Sequence, residues 1–243
     1  MNKEELTMIV PTSQGNIEIY IPGKRNVIVK MSGGADSSIL MFLLAKYRRE
    51  YNTDLTFIIA SINAEFKPYQ YPFAKQVLEF INTICPLGEY QHHTTESLAS
   101  TEVPDGPDEN GYDANKEIYS KDIEDLVQSL HTRSSVQYMG ITANPPMEEL
   151  KLNDFDDGRD LERDTEVAVP TGEIALEPGF FKFNRPFADK DKRVVAELYD
   201  KYQLTETLFP LTRSCEEITF DFSEHCGKCW WCKERKWAFG KLA

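Results

Sequence analysis

The sequence predicts a doubly wound α/β fold: a five-stranded parallel sheet with helices on its faces, closed by a C-terminal zinc-binding segment. Three observations lead there. Short β-branched runs alternate with helix-forming stretches, a Gly-Gly turn joins the first such strand to its helix, and four of the five cysteines crowd near the C-terminus. The 243 residues suit one such domain with elaborations, since domains commonly run to about 100–200 residues and α/β units often exceed that.

Residues 8–23 alternate apolar and polar side chains around Gly15 and read as a small hairpin or edge-strand addition. From Asn26 the run Val27-Ile-Val-Lys-Met31 is a β-branched strand, followed at once by Ser32-Gly-Gly-Ala-Asp-Ser-Ser38 and a helix over 39–50. A second strand over 56–62, a helix over 69–84 and a weaker third strand over 90–94 continue the alternation. Residues 97–115 are rich in Pro, Gly, Asp and Glu and read as an exposed loop. Helical spacing resumes over 116–132, and 136–142 supplies the fourth strand. A second acidic insertion, 147–179, is too long for a tight connection and reads as a lid or a surface loop. The fifth strand falls in 180–187, a charged amphipathic helix in 189–202, and a closing helix in 230–242. The chain therefore divides into an N-terminal extension over 1–25, an α/β domain over 26–204 and a cysteine-bearing segment over 205–243. Such a Rossmann-like sheet binds ligands beyond the carboxyl ends of its strands, where the strand order switches, so the first strand-to-helix turn belongs at the site.

A formal charge of −13 opposes docking on a phosphate backbone, and no nucleic-acid partner is expected. A hydrophobic fraction of 41% is enough to fill a core. No apolar stretch approaches the roughly 20 residues that span a bilayer, and the N-terminus is polar instead of signal-like, so a cytoplasmic protein without a membrane partner is expected. Clustered cysteines fit metal binding in a reducing compartment better than a disulfide framework. A homodimer is the assembly this reading allows for.

The loop Ser32-Gly33-Gly34-Ala35-Asp36-Ser37-Ser38 lies between a hydrophobic strand and a helix. Its amides gather at the positive end of the helix dipole, which makes an anion nest suited to phosphate. Glycine lets the chain approach a ligand without a Cβ clash, and the hydroxyls of Ser32, Ser37 and Ser38 can donate to phosphate oxygens. Asp36 makes sense as a ligand, direct or through water, for the Mg²⁺ that accompanies a nucleotide. The bland alternative is a simple Gly-Gly turn with Asp36 and the serines capping the next helix. Neither the Lys-Ser/Thr ending of a Walker loop nor a dinucleotide Gly-x-Gly-x-x-Gly is present.

This heptad resembles the Ser-Gly-Gly-x-Asp-Ser signature of the PP-loop (N-type) ATP pyrophosphatases, of the adenine nucleotide alpha hydrolase type. The resemblance implies that the loop holds the β- and γ-phosphates of ATP, that Ile62 at the end of the second strand lies beside the nucleotide, and that ATP is cleaved between its α- and β-phosphates.

Cys215, Cys226, Cys229 and Cys232 form Cys-x10-Cys-x2-Cys-x2-Cys, a spacing that delivers four thiolates to a tetrahedral Zn²⁺. Four protein ligands leave no open position, so the expected role is structural. Buried free thiols and an iron–sulfur cluster are the rival readings. His225 reads as a neighbour of the site, not a ligand, and Cys85 as an ordinary core cysteine.

Around these cysteines, Thr212-Arg-Ser-Cys215 and Cys226-Gly-Lys-Cys229-Trp-Trp-Cys232-Lys-Glu-Arg235 resemble the C-terminal zinc segment of 7-cyano-7-deazaguanine synthases. Arg185-Pro-Phe-Ala-Asp-Lys-Asp-Lys192 resembles that family's lysine-containing helix start. Those enzymes adenylate the carboxylate of 7-carboxy-7-deazaguanine and use ammonia to make an amide and then a nitrile. By this resemblance Lys192 faces the phosphates and, with Asp36, serves catalysis; the alternative is a solvated lysine in a charged helix. The chain departs from the family at Asn63-Ala-Glu-Phe-Lys-Pro-Tyr69 and at Gly140-Ile-Thr-Ala-Asn-Pro-Pro146, which puts the acceptor side in question. A deazapurine carboxylate and ammonia are the expected small-molecule partners. A tRNA-thiolating PP-loop enzyme and a non-catalytic nucleotide-binding module are the alternatives.

Overall fold

The computed structural model describes residues 7–21, 26–51, 54–65, 67–97, 114–132, 135–146, 149, 175–176, 182–215, 222 and 224–243. Its strands are β1 (Met8–Thr12), β2 (Gly15–Ile19), β3 (Asn26–Lys30), β4 (Thr56–Asn63), β5 (Tyr90–Glu96), β6 (Ser135–Tyr138), β7 (Ala175–Leu176) and β8 (Lys182–Asn184). The helices are α1 (Ala35–Tyr51), α2 (Gln70–Ile84), α3 (Ala114–Leu130), α4 (Lys192–Lys201) and α5 (Trp230–Phe239), with a 3₁₀ turn at Phe209–Leu211.

The main sheet runs in the order β5-β4-β3-β6-β8-β7. Strands β5, β4, β3, β6 and β8 are parallel, and β7 pairs antiparallel with β8 at the edge. This is the expected doubly wound sheet. The added edge strand falls in a stretch read as an insertion, where no apolar run announced it. The chain leaves β3 toward β4 on one side and returns to β6 on the other, so the order reverses between β3 and β6. That reversal opens a crevice at their carboxyl ends.

Period-2 alternation puts the two sets of strand side chains on opposite faces. Val27, Val29, Phe57 and Ile59 join α1, α2 and α4 in the larger core, while Ile28, Ile58, Ala60 and Ile62 pack against Ile123 and Val127 of α3. Because both faces are covered, β3 reads as a continuous apolar run. Helix α1 is buried from Ile39 to Ala45, since the β1–β2 hairpin, α2 and α4 all lie against it. In contrast, α2 buries Ala74, Val77, Leu78 and Ile81, one stripe at helical spacing.

Helix α1 begins at Ala35, four residues before the expected start, which puts Asp36, Ser37 and Ser38 in its first turn. Strands β6 and β8 are shorter than expected, and α5 ends where Gly240 adopts φ 73°, a left-handed C-terminal glycine. Asp191 caps α4, accepting from the Arg193 amide at 2.9 Å. Cys85 lies in the main core as expected. Most of the two acidic insertions, 97–115 and 147–179, lies outside the described residues. Among the described residues no helix is long and apolar enough to cross a membrane.

Candidate functional site

Two cavities meet at the turn between β3 and α1. The first, of about 270 Å³, lies between α3 and the carboxyl ends of β3, β4 and β6; Met31, Ile62, Ile123 and Met139 are among its apolar walls. The second, of about 170 Å³, lies on the other side of the turn, and Gly34, Asp36, Lys192 and Arg213 line it. Ser32, Ser37 and Gly140 border both, so a molecule with an apolar ring and an anionic tail can span them.

Backbone geometry, more than side-chain chemistry, shapes the turn. Gly33 adopts φ 73°, and a Cβ there would lie 2.5 Å from the Phe73 Cβ and 2.8 Å from the Ala74 nitrogen. Only glycine allows the turn to pass this close to the start of α2. The Gly33 carbonyl accepts from the Arg213 amide at 2.9 Å, which ties the turn to the chain entering the cysteine segment. Gly140 is pressed against α1 in a similar way. A Cβ there would meet the Asp36 carbonyl oxygen at 2.7 Å and the Ser37 nitrogen at 2.9 Å.

The serines divide. Ser37 Oγ donates to the Gly34 carbonyl at 3.2 Å and lies 3.4 Å from Ser32 Oγ, and both residues line the cavities. Ser38 does not face them. Its buried hydroxyl donates to the Gly34 carbonyl at 2.7 Å, because one turn of helix carries it toward the core. Of the three serines expected at phosphate, two, Ser32 and Ser37, line the cavities, and Ser38 is turned away from them. Beneath this first turn Tyr199 donates to the Ala35 carbonyl at 3.1 Å, and burial pushes its phenol pKa well above the ordinary value.

Lys192 is buried, with its side chain 3% exposed, which removes the reading of a solvated lysine. It opens α4 instead of extending a charged surface face. Its Nζ lies 3.0 Å from Asp36 Oδ2 and 2.9 Å from Glu234 Oε2. Asp36 is the carboxylate lining the second cavity among the described residues. One carboxylate beside a phosphate-sized space suits Mg²⁺, which keeps several waters and takes one or two carboxylates with phosphate oxygens.

Arg213 escaped the sequence reading of roles, although it stands in the Thr212-Arg-Ser-Cys215 motif. It is buried, its guanidinium lies 5.0 Å from the Tyr69 ring and 5.3 Å from that of Phe222, and it donates to the Glu224 and Phe222 carbonyls. Gly140 could have been found as a glycine directly after a strand on the ligand side of the sheet. Nothing in the spacing of Lys233-Glu234-Arg235 marked Glu234.

Behind the second cavity, the Sγ atoms of Cys215, Cys226, Cys229 and Cys232 all lie within 4.8 Å of one another. Cys226 and Cys232 are 3.9 Å apart, and Cys229 and Cys215 are 4.0 Å apart. Cys226 Sγ accepts from the Lys228 and Cys229 amides at 3.4 and 3.3 Å, and Cys215 Sγ accepts from the Cys226 amide at 3.4 Å. Amide donors aimed at sulfur stabilise thiolates. The group can hold a metal ion. His225 turns its Nε2 toward the Ser214 amide, 3.5 Å away, and is not among these ligands; burial, with Arg235 and Arg213 adding repulsion, lowers its pKa to about 4.

No family model and no curated protein matches this chain. Among solved structures it is similar to the U34-tRNA thiolase NcsA from Methanococcus maripaludis, described with its 4Fe-4S cluster, at 13% identity and a TM-score of 0.49, covering 90% of this chain and 72% of that one. It is also similar to NAD+ synthetase from Burkholderia pseudomallei, at 15% identity and a TM-score of 0.36, covering 90% of this chain and 74% of that one.

Proposed function

We propose that this chain is an ATP-using enzyme that adenylates a carboxylate and captures the acyl-adenylate with ammonia. The observation that carries the reading is the pair of cavities joined at the turn. The apolar one suits a purine, and the polar one sets two buried cations, a carboxylate and helix-start amides around a phosphate-sized space. A nucleotide laid across them has its α-phosphate near Ser32, Ser37 and Gly140, where the cavities meet.

In this arrangement each group has a distinct task. The amides at the start of α1 and the hydroxyls of Ser32 and Ser37 hold the β- and γ-phosphates. Asp36 carries Mg²⁺. Lys192 and Arg213 balance the charge that grows on departing pyrophosphate, a type of stabilisation worth about 10²–10³ in rate where one donor is removed. Ile62 and Met139 flank the base. A deazapurine acid of the 7-carboxy-7-deazaguanine type is the acceptor suggested by the resemblance of the segments at 32–38, 185–192 and 212–235, and amide or nitrile is then the product.

Zinc is the proposed ion at the four cysteines. A tetrahedral ion with Zn–S bonds near 2.3 Å places its sulfurs about 3.8 Å apart. Two of the separations here, 3.9 and 4.0 Å, match that spacing, and all lie within 4.8 Å. A cubane cluster binds each sulfur to a different iron and spreads them further. Cys85 is the one cysteine outside this group, and it is buried with its thiol pKa raised by burial.

The test is to incubate the protein with ATP, Mg²⁺, ammonia and candidate acids or tRNA, and to follow AMP and pyrophosphate. Acid-dependent release of both supports the ligase; tRNA-dependent release supports thiolation. Nucleotide binding without cleavage under any condition supports a non-catalytic module.

A further inference from the structure

The cysteine cluster and the phosphate cavity share walls. Ser214 and Trp231 line that cavity, and each is directly followed in sequence by a metal-ligand candidate, Cys215 and Cys232. Gathering those two sulfurs onto one ion therefore fixes the spacing of two strips of cavity wall.

Two chains of contacts run from the cluster to the turn. Along the first, Arg235 binds the segment before Cys215: its Nη1 donates to Thr212 Oγ1 at 2.9 Å and to Ser214 Oγ at 3.1 Å, and its Nη2 donates to the Phe209 carbonyl at 3.0 Å. In that segment the Arg213 amide donates to the Gly33 carbonyl at 2.9 Å. Along the second, α5 starts at the Cys229 cap and carries Cys232 and Glu234 within its first two turns. Glu234 is fully buried and holds Lys192 Nζ at 2.9 Å, and Lys192 in turn holds Asp36 at 3.0 Å. A carboxylate with no solvent access, paired with the cation but not lining the cavity, orients that cation; it touches no substrate.

We infer that the metal site is coupled to nucleotide binding: metal at the four cysteines sets the phosphate cavity through Glu234–Lys192–Asp36 and Arg213–Gly33, with Glu234 as the positioning residue. This rests on the reading of the second cavity as a phosphate site. Linkage then requires the reverse effect, since a ligand that favours the metal-ordered wall must hold the metal more tightly.

The experiment uses the zinc-loaded full chain and measures zinc affinity by equilibrium competition with a colorimetric chelator, with and without a non-hydrolysable ATP analogue and Mg²⁺. Zinc affinity raised by about fivefold or more, the lower end of ordinary coupling, is expected. Glu234→Gln is expected to keep its zinc yet show a smaller rise and weaker analogue binding, and Glu234→Asp to regain part of both. A zinc-loaded protein that binds no analogue overturns the nucleotide reading and the coupling with it. Normal analogue binding with unchanged zinc affinity overturns the coupling alone. A Glu234→Gln protein that couples as strongly as the wild type removes Glu234 from the path.

Discussion

Lys192 Nζ lies 3.0 Å from Asp36 Oδ2, joining a residue of the last α/β helix to one in the first turn after the leading strand. Breaking a buried ion pair by removing one partner commonly costs about 3–5 kcal/mol, because the remaining charge is left uncompensated. Lys192→Met keeps the length and loses the charge, leaving Asp36 and Glu234 without their shared cation. Denaturant unfolding should show a loss of that order. Pyrophosphate release should fall about 10²-fold or more, as for removal of one preorganised charge-stabilising group.

Gly33→Ala introduces a methyl where the nearest atoms of α2 stand at 2.5 and 2.8 Å, at a φ of 73° that side chains rarely adopt. A loss of about 1–3 kcal/mol follows from the strained backbone alone. Thermal unfolding should show it, and nucleotide binding should fall with it because the turn must move.

Ile141 borders the apolar cavity but not the phosphate cavity, and its side chain is only half-buried. Ile141→Trp should therefore fill the base site with little effect on stability. Calorimetry should show binding of an ATP analogue abolished and binding of inorganic pyrophosphate retained.

Much of the fold was legible because local chemistry and tertiary placement agree. The β-branched run before Ser32, the stripe of Ala74, Val77, Leu78 and Ile81, and the cysteine spacing each carry their own period or metal geometry. What escaped depends on contacts between distant segments. Ser38 looked equivalent to Ser37 in the heptad, yet the early start of α1 turns one toward the cavity and the other into the core. Lys192 sits in a run of charges that reads as solvent-facing, and its burial becomes tenable through two carboxylates from distant segments, Asp36 and, 42 positions away, Glu234. Arg213 and Gly140 act by proximity to the turn, which no single-sequence pattern encodes.

His92 gives the account a pH signature. Ser61 donates its hydroxyl hydrogen to the Met31 carbonyl at 2.8 Å, so the His92 Nε2, 2.9 Å from Ser61 Oγ, is the donor of that contact. Burial first, then His93 and Lys75, hold the His92 pKa below the ordinary value of 6.5. The unfolded chain thus takes up a proton that the folded chain resists. The stability His92 contributes is present above pH 6.5 and is lost as pH falls toward its folded value. His92→Gln should show a smaller drop in melting temperature between pH 7.5 and pH 5.5 than the parent, measured by calorimetry.

Cys229 is both a candidate metal ligand and the N-cap residue of α5. Cys229→Ser should lower bound zinc from one per chain to a substoichiometric level by elemental analysis. It should also expose the C-terminal segment to proteolysis, since metal-binding free energy is part of that segment's folding.

The most direct measurement is a crystal structure with a non-hydrolysable ATP analogue and Mg²⁺. The β- and γ-phosphates are expected on the amides that open α1, between Lys192 and Arg213, with Mg²⁺ at Asp36 and the adenine between Ile62 and Met139. An analogue bound elsewhere, or one whose phosphates leave the turn at Ser32–Ser37 untouched, contradicts the enzyme proposed here.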